Sequence, residues 1–186
     1  MSNTSTVSRS LHDIGLAAWF GGTLANAVAL NPAAGEAVRP TDAGAVANAG
    51  WDRWTPVNAA AIGAHLVGSV VQLRSNADRI AGQQGVGAMS VVKTGLTVAA
   101  LGVTAWSRVL GQKVSAAQRV PAEDATTPTS ETPSEVASAQ QQLKALQWVI
   151  PALTGALVVV SSFAGEQQRP AAVEAGARAK LRSLTS

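Results

Sequence analysis

The 186-residue chain has no cysteine and no tyrosine, only two histidines, two methionines and two phenylalanines, and 13% of its residues are charged. Without cysteine it can form no disulfide, no thiolate nucleophile and no Cys-ligated metal centre. The charge content is about half that of an ordinary globular domain, and it is unevenly spread. No Asp, Glu, Lys or Arg occurs from Ile14 to Gly35, from Trp54 to Leu73 or from Ala145 to Gly165, intervals of 22, 20 and 21 residues. A fourth interval, Met89 to Ser107, carries Lys93 alone, near its start.

At 1.5 Å per residue, about 20 helical residues cross a hydrocarbon core of about 30 Å. The alternative is a water-soluble, Ala-rich bundle, whose helices would each need a charged face. These intervals have none, so the expected class is all-α: an integral membrane four-helix bundle with spans at 11–31, 54–74, 88–108 and 144–165. Net charge is +3, but the basic residues are scattered at span ends. That pattern suits a lipid bilayer as partner and excludes nucleic acid.

Residues 1–10 are Ser/Thr-rich and read as disordered, with Ser10 and Asp13 forming a capping box for the first helix. The apolar stretch ahead of Pro32 outlasts a signal-peptide core, although Ala25-Asn26-Ala27 has the form of a cleavage site. Turn formers from Ala33 to Arg53 predict a loop, after which Thr55 caps and Pro56 opens the second helix, with an extension as far as Ile80. The third helix projects beyond its span toward Pro121, because Val109, Leu110, Val114 and Ala117 keep helical spacing. PAEDATTPTSETP then reads as a flexible loop over 121–132. Thr132-Pro133-Ser134-Glu135 starts a fourth helix about ten residues before its span, so that Val136, Leu143 and Leu146 pack on the outgoing third helix. The main domain is therefore 11–168, followed by a polar tail, 169–186.

Trp51, Trp54, Trp106 and Trp148 fall at span ends, where an indole keeps its N–H wet. Lys and Arg are slightly more numerous on the side of the termini than on the other, which predicts a multi-pass protein of the cell inner (plasma) membrane with both termini cytoplasmic.

Small residues recur four apart: Ala17, Gly21, Ala25 and Ala29 in the first helix, Ala60, Ala64 and Gly68 in the second. Such stripes let helix backbones approach in lipid, and the expected closest contact joins these two stripes. Asn26, Asn58 and His65 are the candidate intramembrane polar site. His12 reads as a boundary residue, too far from the depth of His65 for the two to share a haem. Lys93 reads as a side chain reaching toward headgroups, and Asp13 as a boundary charge. No paired carboxylates or nucleophile–base pair can be read from the spacing, so no catalytic, cofactor or metal site is expected.

His12, Trp19, Gly21 and Pro32, within LHDIGLAAWFGGTLANAVALNP, resemble the first span of the copper-resistance membrane domain family. WDRWTPVNAAAIGAHLVG and GEQQRP are similar to segments of uncharacterised actinobacterial four-span membrane proteins. The resemblance implies a small four-helix membrane fold. Copper is not carried over with it, because only Met1 and Met89 stand where Met- and His-rich segments would be needed.

Two functions follow. One is a non-enzymatic structural or accessory component, packing as a homo-oligomer or against a larger membrane protein. The other is a small-solute or proton-coupled transport component using the polar residues of the first two helices. In either case the chain stays in the membrane fraction through a high-salt wash and leaves it only with detergent; recovery in the wash would reject the membrane reading.

Overall fold

The computed structural model describes residues 3–77, 86–117, 119–166 and 178. Four long helices carry the fold, all of them long and apolar enough to cross a membrane. The first, α1 (Asn3–Ala25), runs on through a π-turn (Asn26–Leu30) and a short helical segment (Asn31–Ala33). It is followed by α2 (Ala43–Ser75), α3 (Val86–Ala116) and α4 (Ser134–Glu166). No named strand occurs among the described residues, only an isolated bridge between Ala122 and Pro128.

Several boundaries differ from the sequence expectation. Residues 3–10 are helical rather than disordered, so Ser10 and Asp13 lie inside α1 and cap nothing. Most of the expected loop at Ala33–Arg53 belongs to α2, which starts at Ala43. Turn propensity is a weak prior against packing: Ala34, Ala47 and Ala125 form a small core with Trp51 against them, and Leu30 lies over Gly50. Pro56 therefore sits inside α2. The expected extension of the second helix to Ile80, and the polar tail apart from Arg178, lie outside the described residues.

The segment over 121–132, expected to be flexible, is tied down by its own polar side chains. The Asp124 carboxylate accepts from the Thr126 and Thr127 amides at 2.6 and 2.8 Å. Thr132 does not cap α4; its hydroxyl donates to the Pro121 carbonyl at 2.6 Å. Backbone bonds from Ala122 to Pro40 and from Ala125 to Asn31 then lay the segment across the ends of α1 and α2. Composition does not reveal this, because the segment needs no apolar core of its own. Asx-type bonds and a preformed surface hold it.

The helices pack in the order α2, α1, α4, α3. Contacts are dense between α1 and α2 and between α3 and α4, intermediate between α1 and α4, and sparse between α2 and α3. The expected hairpin of α3 and α4 is present: Val136 is buried, Lys113 pairs with Glu135 at 3.4 Å, and the Trp106 indole N–H points at Gln142 at 3.4 Å. The central core is Trp19, Ala100 and Ile150, with Ile62, Leu101, Val103 and Leu153 around it.

The α1–α2 contact uses a different face of α1 from the one expected. Ala17, Gly21, Ala25, Ala29 and Ala60 are exposed, Ala64 is half-buried, and nothing lies within 4 Å of a Cβ added at Gly21. The backbones meet instead at Gly15, whose added Cβ would strike the Ala61 carbonyl, and at Gly68, whose Cβ would fall 2.5 Å from the Ser8 carbonyl and the His12 amide. Spacing by four identified a face that small residues occupy. It could not say which face the neighbour covers, and bulky Trp19 belongs to the buried one.

Neither the Gly68 neighbours nor its own helix can yield, because the atoms in the way are backbone. Gly68→Leu should therefore lower stability in detergent by at least the ~1–3 kcal/mol typical of overpacking, while Gly21→Leu changes it little. Thermal unfolding followed by circular dichroism checks the pair, and equal effects would place the contact elsewhere.

Candidate functional site

The close approach at Gly15 and Gly68 sets α1 and α2 in register so that His12 and His65 face each other. Their ring centroids are 4.6 Å apart and inclined by 46°, and each residue is 1% exposed. Trp19, fully buried, closes one side with its ring 6.1 Å from that of His65.

The neighbours settle which nitrogen carries the proton. Asp13 Oδ1 lies 2.7 Å from His12 Nδ1, and a carboxylate only accepts, so His12 Nδ1 is the N–H. His65 Nδ1 lies 3.4 Å from the His12 carbonyl, another pure acceptor, so it too carries its proton there. In the neutral rings both Nε2 atoms are then acceptors, buried and without a hydrogen-bond partner.

Beside the pair is a cavity of about 320 Å³ lined by polar groups from all four helices, among them Arg9, Asp13, Gln72, Lys93 and Ser161. The Ser161 hydroxyl is buried without a partner. Two cations, a carboxylate, two hydroxyls, an amide and the His12 ring thus converge, with His65 packed behind His12, at the end of the fold that holds the start of α1 and the end of α4.

Of the three residues expected to form a polar site, only His65 is in this cluster. Its partner is a backbone carbonyl, not either asparagine. Asn26 Nδ2 and Asn58 Oδ1 are buried without partners, farther along the α1–α2 seam. His12 is corrected from boundary residue to the depth of His65. Direct ring contact, with the backbones pressed together at Gly15 and Gly68, leaves no gap for a macrocycle between the two. Among the described residues no three His, Asp or Glu side chains gather as a metal set. Lys93, read as reaching outward, and Asp13, read as a boundary charge, both border the cavity. His12, Gly15, Trp19, Gly22 and Asn26 recur at alternating spacings of three and four, a helical face that the four-residue stripe beside it obscured.

No protein-family model matches the chain, and neither a curated protein nor a solved structure matches it.

The tautomers are directly measurable. Nitrogen-detected NMR of histidine-labelled protein in detergent should show both rings protonated at Nδ1 at neutral pH, and Asp13→Ala should remove that preference from His12 while leaving His65 as it was. An Nε2–H form of His12 in the unaltered chain would reject the geometry.

Proposed function

We propose that the chain is a multi-pass protein of the plasma membrane with both termini cytoplasmic, and that it is a small-solute or proton-coupled transport component working through His12 and His65. The membrane placement is supported by what the helices leave outside: no more than 28% of the most apolar window of any helix is buried, and Ile14, Val91, Val98 and Phe163 are each at least 60% exposed. In this placement α3 and α4 extend past the bilayer, and the folded 121–132 segment caps the outer end.

One observation carries the transport reading: two buried imidazole nitrogens in adjoining rings, each oriented through its other nitrogen, have no partner, and His12 borders a polar cavity. A buried acceptor left unpaired costs about 1–3 kcal/mol, so the pair stays in this arrangement only if something repays it. A proton, or a small solute donating one, does so. Two cations in ring contact repel, so the pair holds one proton at a time and returns it before the next. Lys93, within the same cavity, offers a counter-charge to the conjugate base of a small weak acid. Proteoliposomes with an entrapped pH dye test this: an imposed pH step should dissipate faster than in protein-free vesicles, and His65→Gln should return the rate to the protein-free leak with the helical spectrum unchanged. Flux indifferent to His65 sinks the reading.

The accessory-component reading keeps one observation of its own. The stripe Ala17, Gly21, Ala25 and Ala29 is unused within the chain, and close helix packing in lipid is what such stripes permit. A partner or second copy seated there would be released by Gly21→Leu, with no effect on the monomer.

A further inference from the structure

The seam between α2 and α3 is the one that the fold leaves open. Two cavities, of about 340 and 300 Å³, lie along it and share Leu101 in their walls. The larger one lies toward the 121–132 segment and holds Trp51, Trp54, Asn58, Thr104, Ser107 and Arg108. The smaller continues toward the opposite end between Leu66, Val70 and Val98.

The larger cavity combines an apolar body with unmet hydrogen bonding. Trp54 Nε1, Asn58 Oδ1, Thr104 Oγ and Ser107 Oγ are all buried with no partner. Asn58 as a whole is only 9% exposed. Three of these four atoms are donors or hydroxyls, and beside them Arg108 is exposed, with no ion pair among the described residues. Such a site takes a molecule with carbonyl acceptors at one level, an anionic group just outside it and a long apolar tail running inward.

We propose that the α2–α3 cleft holds one phospholipid of the bilayer as a bound ligand, its phosphate at Arg108, its ester carbonyls at Trp54, Thr104 and Ser107, and one acyl chain lying past Ile62 and Leu101. The inference rests on the bilayer placement above but not on the histidine pair. Depth selects the occupant. The polar atoms sit where the spans of α2 and α3 meet the Trp belt, the level at which glycerol esters lie, and inward of them the larger cavity is walled by Ala59, Ile62, Leu101 and Ile150, while polar groups such as Ser69, Thr94 and Thr97 return only in the smaller cavity beyond Leu101.

The protein is reconstituted in vesicles of equal parts phosphatidylglycerol and phosphatidylcholine, re-extracted in mild detergent, washed, and weighed by native mass spectrometry. One phospholipid per chain should remain. Thr104→Val with Ser107→Ala removes two donors while keeping the shape, and at about 1 kcal/mol per hydrogen bond retention should fall about fivefold for each. A Cβ at Gly111, also in the cleft wall, would meet nothing within 4 Å, so Gly111→Leu fits the fold yet takes ligand space and should lower occupancy as well. His65→Gln should retain lipid like the unaltered chain, which separates this result from failure of the transport reading. Loss of the chain from the membrane fraction would reject the placement and this proposal with it. No retained lipid, retention equal in all variants, or an adduct whose mass is that of a non-phospholipid such as a prenylated quinone overturns the lipid assignment.

Discussion

The contact between the backbones of α1 and α2 at Gly15 and Gly68 governs the rest of the structure. A helix pair that meets backbone to backbone has almost no freedom to slide, because the atoms in the way on either side belong to the main chain and not to flexible side chains. That contact sets the register, and the register brings His12 to His65 and Trp19 to the back of His65. Leu30 is laid over Gly50 at the far end of the same seam. In lipid there is little hydrophobic drive between helices, so close packing of this type carries much of their association.

A tight seam on one side leaves slack on the other. α1 contacts both α2 and α4, while α2 and α3 scarcely meet. The interior therefore has two different characters. Near the start of α1 it is polar, with His12, Lys93 and Ser161 around an open volume. Toward the 121–132 segment it is an apolar cleft with hydrogen-bonding groups at its edge. Most buried side-chain atoms without partners fall in one or the other. Unpaired polar groups are expensive in a low-dielectric interior, and the ones that line these two cavities are the physical ground for reading both as binding sites.

The end covered by the 121–132 segment shows how a local irregularity does tertiary work. Pro32 has no N–H, and its ring crowds the carbonyl four residues back. The helix widens ahead of it, and the Asn31 amide reaches the Asn26 carbonyl, five residues back. The inserted residue turns Asn31 inward, where its amide donates to Gln147 at 2.8 Å and its carbonyl oxygen accepts from the Trp51 indole at 3.0 Å. Three helices are joined through this one buried side chain, and its backbone carbonyl also takes the Ala125 amide of the 121–132 segment.

By itself the sequence determined the helical class, the number of long apolar helices and the α3–α4 hairpin, because uninterrupted charge gaps and apolar spacing are properties of a single helix. It also marked His65 as out of the ordinary, since an ionisable group within an apolar span is visible without a neighbour. Tertiary structure decided which face of α1 is covered, that His12 lies at the depth of His65, that Ala43 to Trp54 is helix, and that Asp124 folds a segment with no apolar core. Each depends on an atom from a distant part of the chain: the Ala61 carbonyl against Gly15, the Pro40 carbonyl under Ala122, the Gln147 amide on Asn31. A periodicity computed along one helix has no access to the shape of the helix beside it, and in this protein that neighbouring shape is what places the chemistry.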